Sequence, residues 1–307
     1  MTTTTAPFGR LLTAMITPMT SDGAVDYDGA AALAAYLVAD MRNDALVLNG
    51  TTGEAPTTTD EEKARLIKVV REAVGDKVKV IAGVGTNITA HSVDLARQAE
   101  KAGAHGLLVV TPYYSKPAQD ALAAHFTAIA DATALSSIIY DIPSRAGVEV
   151  ATDTLVRLAG HPRIVAVKDA KGDLRATSEV IARTDLAYYS GDDPMTLPVM
   201  SIGGVGIVSV TAHVVGDRIH AMLQAFTEGR NAEAASLHRS MLPVNVGLFR
   251  NQAAVLTKAA MDALGLPGGG VRGPLLPATD AERHTLQEDL TTGGVKLPQN
   301  TANGAAR

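Results

Sequence analysis

The sequence predicts an α/β protein, a closed (β/α)8 barrel of the TIM type with a C-terminal helical appendage. Eight short, continuously apolar runs recur at spacings of roughly 20–34 residues, with helix-like stretches between them. The runs do not alternate polar with apolar, as expected for parallel strands buried on both faces. The chain of 307 residues has room for one barrel of about 250 residues and an addition.

The strands are expected at Leu11–Ile16, Ala45–Leu48, Val78–Ala82, Gly106–Val110, Ser137–Asp141, Ile164–Lys168, Ala187–Ser190 and Gly206–Val210. Between them, Asp26–Asp40 is Ala-rich with a polar start, and Thr59–Glu72 opens on Thr-Asp-Glu-Glu, which suits the positive end of a helix dipole. Thr89–Ala102 and Gln119–Ala130 read similarly, and Gly75, Gly103 and Gly160 punctuate helix ends before the next strand. Beyond about Gly216 the strands stop. Helices are expected at Arg218–Glu228, Asn231–Phe249, Gln252–Leu264 and Asp280–Leu290, with a Pro/Gly loop at Gly265–Pro277. The first of these completes the barrel. The expected organisation is therefore a barrel over residues 8–228 and a helical region over 229–295, with tails 1–7 and 296–307 too polar and small to order.

Composition narrows the function classes. Hydrophobic residues make up 46% of the chain, but Trp is absent and Phe is found only 4 times, so the core must be aliphatic. A net charge of -5 offers no long-range attraction for nucleic acid or an anionic membrane. The absence of Cys excludes disulfides, thiolate catalysis and Cys-ligated zinc. No signal peptide and no apolar run of about 18 residues is evident, so a cytoplasmic protein without a membrane span is expected. The 8 His residues show no metal-ligand spacing, and Ser144 lies in no Gly-x-Ser-x-Gly elbow.

Chemistry in such a barrel gathers where the C-terminal ends of the strands meet. Lys168 ends the run Ile164-Val165-Ala166-Val167. An ammonium there is costly to bury, so Lys168 is either a neutral amine suited to attack a carbonyl or a side chain that escapes to solvent beside Asp169. Tyr140 ends the preceding strand and could face the same cavity as a proton relay, or simply pack at the rim. The turn Gly50-Thr51-Thr52-Gly53-Glu54 could hold a small carboxylate, or be an ordinary βα turn. Gly203-Gly204-Val205-Gly206 precedes its strand and is a weak phosphate signal.

Taken in order, Gly50-Thr51-Thr52-Gly53-Glu54, Thr111-Pro112-Tyr113-Tyr114, Tyr140-Asp141-Ile142-Pro143-Ser144-Arg145 and Val167-Lys168-Asp169 resemble the dihydrodipicolinate synthase/N-acetylneuraminate lyase family over about Phe8 to Leu290. The resemblance implies that Lys168 forms a Schiff base with pyruvate, with Tyr140, Thr51 and Tyr114 as a proton relay and Tyr114 donated by a neighbouring subunit. It also implies that Thr52 holds the pyruvate carboxylate, and that Gly191 and Ile207 line the pocket through backbone carbonyls. Arg145 matches the residue that synthases use for the carboxylate of L-aspartate 4-semialdehyde and that sialic-acid lyases lack. A bidentate guanidinium suits that task. No metal or organic cofactor is implied, because the protonated imine is the electron sink. A homotetramer built from dimers is implied. Aldolases for 2-keto-3-deoxy sugar acids and non-catalytic keto-acid sensors are the alternatives. Lysine-sensitive relatives bind lysine near the positions of Asn87 and Tyr113. Here Lys63 replaces a His or other aromatic ring and His91 replaces a Glu, so weak or absent lysine inhibition is expected, with Asp60 as a possible substitute carboxylate.

Overall fold

Along each strand of the computed structural model, successive side chains enter different cores. Leu12, Ala45, Val47, Ile81, Leu108, Ile138, Ala166, Ala187 and Val208 pack together inside a closed barrel, while Leu11, Leu46, Val80, Leu107, Ile139, Val167, Tyr188 and Ile207 pack outward under the helices. Both faces are dry, which is why the strands read as unbroken apolar runs. The structure describes residues 5–298.

The elements follow as β1 (Leu11–Ala14), α1 (Tyr27–Ala39), β2 (Ala45–Leu48), α2 (Asp60–Val74), β3 (Lys79–Gly83), α3 (Thr89–Lys101), β4 (Gly106–Val110), α4 (Gln119–Asp131) and β5 (Ser136–Asp141). Then come α5 (Pro143–Ala146), α6 (Thr152–Leu158), β6 (Ile164–Asp169), α7 (Leu174–Arg183), β7 (Ala187–Ser190), α8 (Thr196–Ser201), β8 (Gly206–Ser209), α9 (Ala212–Thr227), α10 (Asn231–Leu248), α11 (Ala253–Ala263) and α12 (Asp280–Thr292). All neighbouring strands are parallel in the order β1 to β8, and β8 closes on β1 through Leu11↔Ile207. The expected barrel with a helical appendage is what the chain forms.

Local chemistry explains the best-defined ends. Thr59 caps α2 in a capping box with Glu62, and Thr279 does the same for α12 with Glu282. α9 starts earlier than the expected Arg218. The Ser209 hydroxyl accepts the Ala212 N–H at 2.8 Å, and a break at Val215 separates this first turn from the regular helix. The glycines before β8 serve packing. A Cβ on Gly206 would lie 2.1 Å from the Arg10 carbonyl oxygen, and one on Gly204 would lie 2.5 Å from Val199 Cγ1. Most of the disorder expected for residues 1–7 and 296–307 falls outside the described residues. Within them, Ala6 and Leu297 pack partly buried against the two cores. Among the described residues no helix is long and apolar enough to cross a membrane.

Candidate active site

β6 carries Lys168 two residues after the inward-facing Ala166, so the pleat directs it into the barrel rather than toward solvent. Only 5% of Lys168 is exposed. The register aligns it with Tyr140 of β5 on one side and Tyr189 of β7 on the other. Its Nζ stands 4.0 Å from the centre of the Tyr140 ring. Burial pulls the Lys168 pKa down to about 8, with Asp193 opposing that shift and Arg145 adding to it. The escape to solvent that the sequence left open does not occur. At neutral pH about a tenth of such an amine is unprotonated, against about one part in three thousand for an ordinary lysine.

Tyr140 is also 5% exposed, and burial pushes its phenol up to about 12, with Arg145 and the Thr51 side chain opposing that shift. It therefore stays protonated and can donate. Thr51 sits half-buried in the turn after β2, where the Glu54 N–H donates to its carbonyl at 3.1 Å. Arg145 lies in the one-turn helix α5, whose Arg145 N–H donates to the Ile142 carbonyl at 3.0 Å, and its side chain is exposed. Tyr140, Thr51, Arg145, Tyr113 and Tyr114 share the wall of one cleft of about 740 Å³ above the C-terminal strand ends. Lys168, Thr52, Gly191 and Ile207 do not border it. Lys168 instead lies against the Tyr140 ring, and Tyr140 itself lines the cleft.

The remaining expected residues divide. Thr52 is buried in the turn. Gly191 donates its N–H to the Asp169 carbonyl at 2.7 Å, and a Cβ on it would come 3.1 Å from Lys168 Cε. The absence of a side chain there leaves space for the lysine. Ile207 turns its side chain outward among the helices, so only its backbone is on the barrel side. Tyr114 is 90% exposed and held at φ 75°, with its N–H donating to the Ala146 carbonyl at 3.2 Å. A phenol so exposed, on a backbone conformation that non-glycine residues rarely adopt, is not packed by its own chain.

Sequence reasoning missed the carboxylates that support these groups. Asp193, after β7, is buried and accepts from the Ser209 and Thr211 hydroxyls and from the Val210 and Thr211 amides. It ties the ends of β7 and β8 together and supplies negative charge toward Lys168. On the outer face, Asp141 and Asp169 follow Tyr140 and Lys168. Lys171 Nζ lies 3.4 Å from Asp141 Oδ2, while Asp169 accepts from the Lys171 amide at 2.7 Å and the Thr177 hydroxyl at 2.8 Å. The only sequence signal was acidic residues placed next to Lys168 and Tyr140 or just after an apolar run.

Comparison with known proteins covers nearly the whole chain. The model of the Dihydrodipicolinate synthetase family matches residues 7–292. The 4-hydroxy-tetrahydrodipicolinate synthase of Acidothermus cellulolyticus is 60% identical over 94% of this chain and 94% of its own. The crystal structure of dihydrodipicolinate synthase from Bacillus anthracis is 42% identical and superposes with a TM-score of 0.91, covering 94% of this chain and 99% of that one. That of the Cyanidioschyzon merolae enzyme with lysine bound is 39% identical, with a TM-score of 0.91 over 94% of this chain and 98% of that one. A family match over residues 7–292 and a relative 60% identical over nearly the whole of both chains show that the chain belongs to the dihydrodipicolinate synthetase family.

Proposed function

We infer that the protein is a class I lyase that condenses pyruvate with L-aspartate 4-semialdehyde to 4-hydroxy-tetrahydrodipicolinate. The observation that carries this reading is a buried lysine of lowered pKa against a buried phenol, in a chain 60% identical to such a synthase. In this reading Lys168 Nζ attacks C2 of pyruvate, and loss of water leaves an imine. The cationic nitrogen acidifies the methyl group, whose proton departs to give an enamine. The enamine carbon then adds to the aldehyde, and the new alkoxide takes a proton through Tyr140, Thr51 and Tyr114. Attack by the semialdehyde's own amine on the imine closes the ring and frees Lys168. Thr52 holds the pyruvate carboxylate, and the Gly191 and Ile207 backbone carbonyls complete the base of the pocket. The test is steady-state turnover with pyruvate and L-aspartate 4-semialdehyde, against cleavage of 2-keto-3-deoxy sugar acids. Turnover of the sugar acids alone would favour an aldolase of the same family. Binding of pyruvate without any turnover would favour a sensor.

Arg145 supports the choice of second substrate, because a guanidinium in the cleft wall matches a carboxylate. Its exposure lets water screen it, so the contact should be worth about 1.5 kcal/mol, or roughly tenfold in specificity for the semialdehyde. Arg145→Ala should lower kcat/KM for the semialdehyde by that factor while leaving trapping of the pyruvate imine nearly unchanged. Equal loss of both would indicate a general structural role.

The exposure of Tyr114 supports a shared site between two copies of the chain, as part of a tetramer built from dimers. Mixing Tyr114→Phe chains with Lys168→Ala chains tests this. If Tyr114 crosses the interface, each mixed dimer has one intact site and one site carrying both defects. Statistical re-association should then restore about a quarter of wild-type activity. No recovery in verified mixed dimers, or full activity in a verified monomer, would exclude the shared relay.

A further inference from the structure

The turn that carries Thr51 and Thr52 is gripped from outside the barrel. Its last residue, Glu54, sits at φ 56° and is 3% exposed. Both of its carboxylate oxygens are taken by the C-terminal appendage. Lys258 of α11 donates to Oε1, and the Arg272 backbone N–H donates to Oε2 at 2.9 Å. Lys258, 1% exposed, gives a second bond to the Gly270 carbonyl at 2.6 Å. The Arg272 side chain then spans the far side of the turn. It donates to the Thr57 carbonyl at 2.8 Å, to both carboxylate oxygens of Glu62 on α2 at 2.7 and 2.6 Å, and to the Gly23 carbonyl at 2.7 Å. On the barrel side the Thr17 hydroxyl donates to the Gly53 carbonyl at 2.8 Å, and a Cβ on Gly53 would be 3.1 Å from the Met15 carbonyl oxygen.

We propose that Lys258 and Arg272 are positioning residues, through which the C-terminal appendage holds the Gly50–Glu54 turn, and with it Thr51 and Thr52, in register with Lys168 and Tyr140. A buried ion pair is a poor source of stability, because desolvation of both charges offsets their attraction. What it does supply is a fixed direction, since two donors on one carboxylate leave the turn little freedom. The Glu54 N–H bonded to the Thr51 carbonyl carries that constraint to the hydroxyl that meets Tyr140. Misplacement of such a group by about 1 Å costs on the order of a hundredfold in rate. The proposal rests on the roles inferred above for Thr51 and Thr52.

Three full-length variants test it: Lys258→Met, Glu54→Gln with Lys258→Met, and Arg272→Ala. Active sites are counted by borohydride fixation of pyruvate, so that kcat is expressed per labelled site. Lys258→Met leaves Glu54 buried without its partner and should lower the melting temperature as well as activity. The double variant removes both charges and should regain melting temperature, yet keep a pyruvate KM raised at least tenfold and a kcat per site reduced at least tenfold. Arg272→Ala, altered at a partly exposed side chain, should stay folded and raise the pyruvate KM about fivefold. If KM and kcat per site recover together with melting temperature in the double variant, or stay within twofold of wild type in folded Arg272→Ala, the positioning role is wrong. Wild-type protein that takes no pyruvate label would overturn the functional reading and the proposal with it. Normal wild-type label beside unaffected variants would overturn the tether alone.

Discussion

Lys168→Arg should lose at least a thousandfold in condensation rate while keeping the fold. The guanidinium stays protonated at any accessible pH, so it has no lone pair to attack C2 of pyruvate. In the wild-type chain, pyruvate and borohydride should fix one adduct per chain on the peptide containing Lys168. The pH dependence follows from the amine. Burial brings its pKa to about 8, and only the neutral form attacks. The rate of trapping at subsaturating pyruvate should therefore rise about tenfold per pH unit from 6 toward 8 and level off above it. Tyr140, pushed up to about 12, stays protonated across that range and adds no second limb. Label on another lysine, or a trapping rate still climbing tenfold per unit beyond pH 9, would remove Lys168 from this role.

Much of this arrangement was legible from residue order, for physical reasons that differ between elements. β2, β4 and β7 begin and end where they were expected, because strands buried on both faces are mostly apolar and stand out from the polar segments around them. Lys168 was visible as a charged residue in line with such a run. Whether it pointed inward was not, since a lysine at a strand end can reach water; the pairing Tyr140↔Lys168 decides it. α5 to α8 had no expected bounds. They are short, two of them contain a Pro, and barrel closure rather than intrinsic periodicity fixes them. Asp193 and the Lys258–Glu54 pair were out of reach because their partners lie far along the chain, in the second case 204 residues away. One signal was present: Lys258 is the only cation in the apolar helix α11. A buried charge implies a partner without naming it.

L-Lysine should inhibit this protein weakly or not at all, and the cleft gives the reason a geometry. Asp60, Lys63, Asn87, His91 and Tyr113 line its wall. Asp60 is the carboxylate nearest to hand for a ligand ammonium, but it is already engaged. His91 Nε2 lies 2.9 Å from it and Lys63 Nζ lies 3.9 Å away. Lys63 also donates to the Thr58 carbonyl, which holds its ammonium in place. Burial lowers the Lys63 pKa, but Asp60 and Glu62 oppose that shift and favour the charged form. An arriving ammonium would have to displace His91 and stand close to a fixed cation. At an effective dielectric of about 20, two like charges about 4 Å apart repel by roughly 4 kcal/mol, equivalent to about a thousandfold in affinity. Initial rates should stay above half their starting value up to about a millimolar L-lysine, with pyruvate near its KM. Replacing both residues, Lys63→His with His91→Glu, removes the cation and adds a free carboxylate, and should bring half-inhibition below that concentration. Sensitivity in the wild-type chain at lower lysine would mean that Asp60 exchanges partners readily. Continued resistance in the double variant would place the cause outside these two side chains.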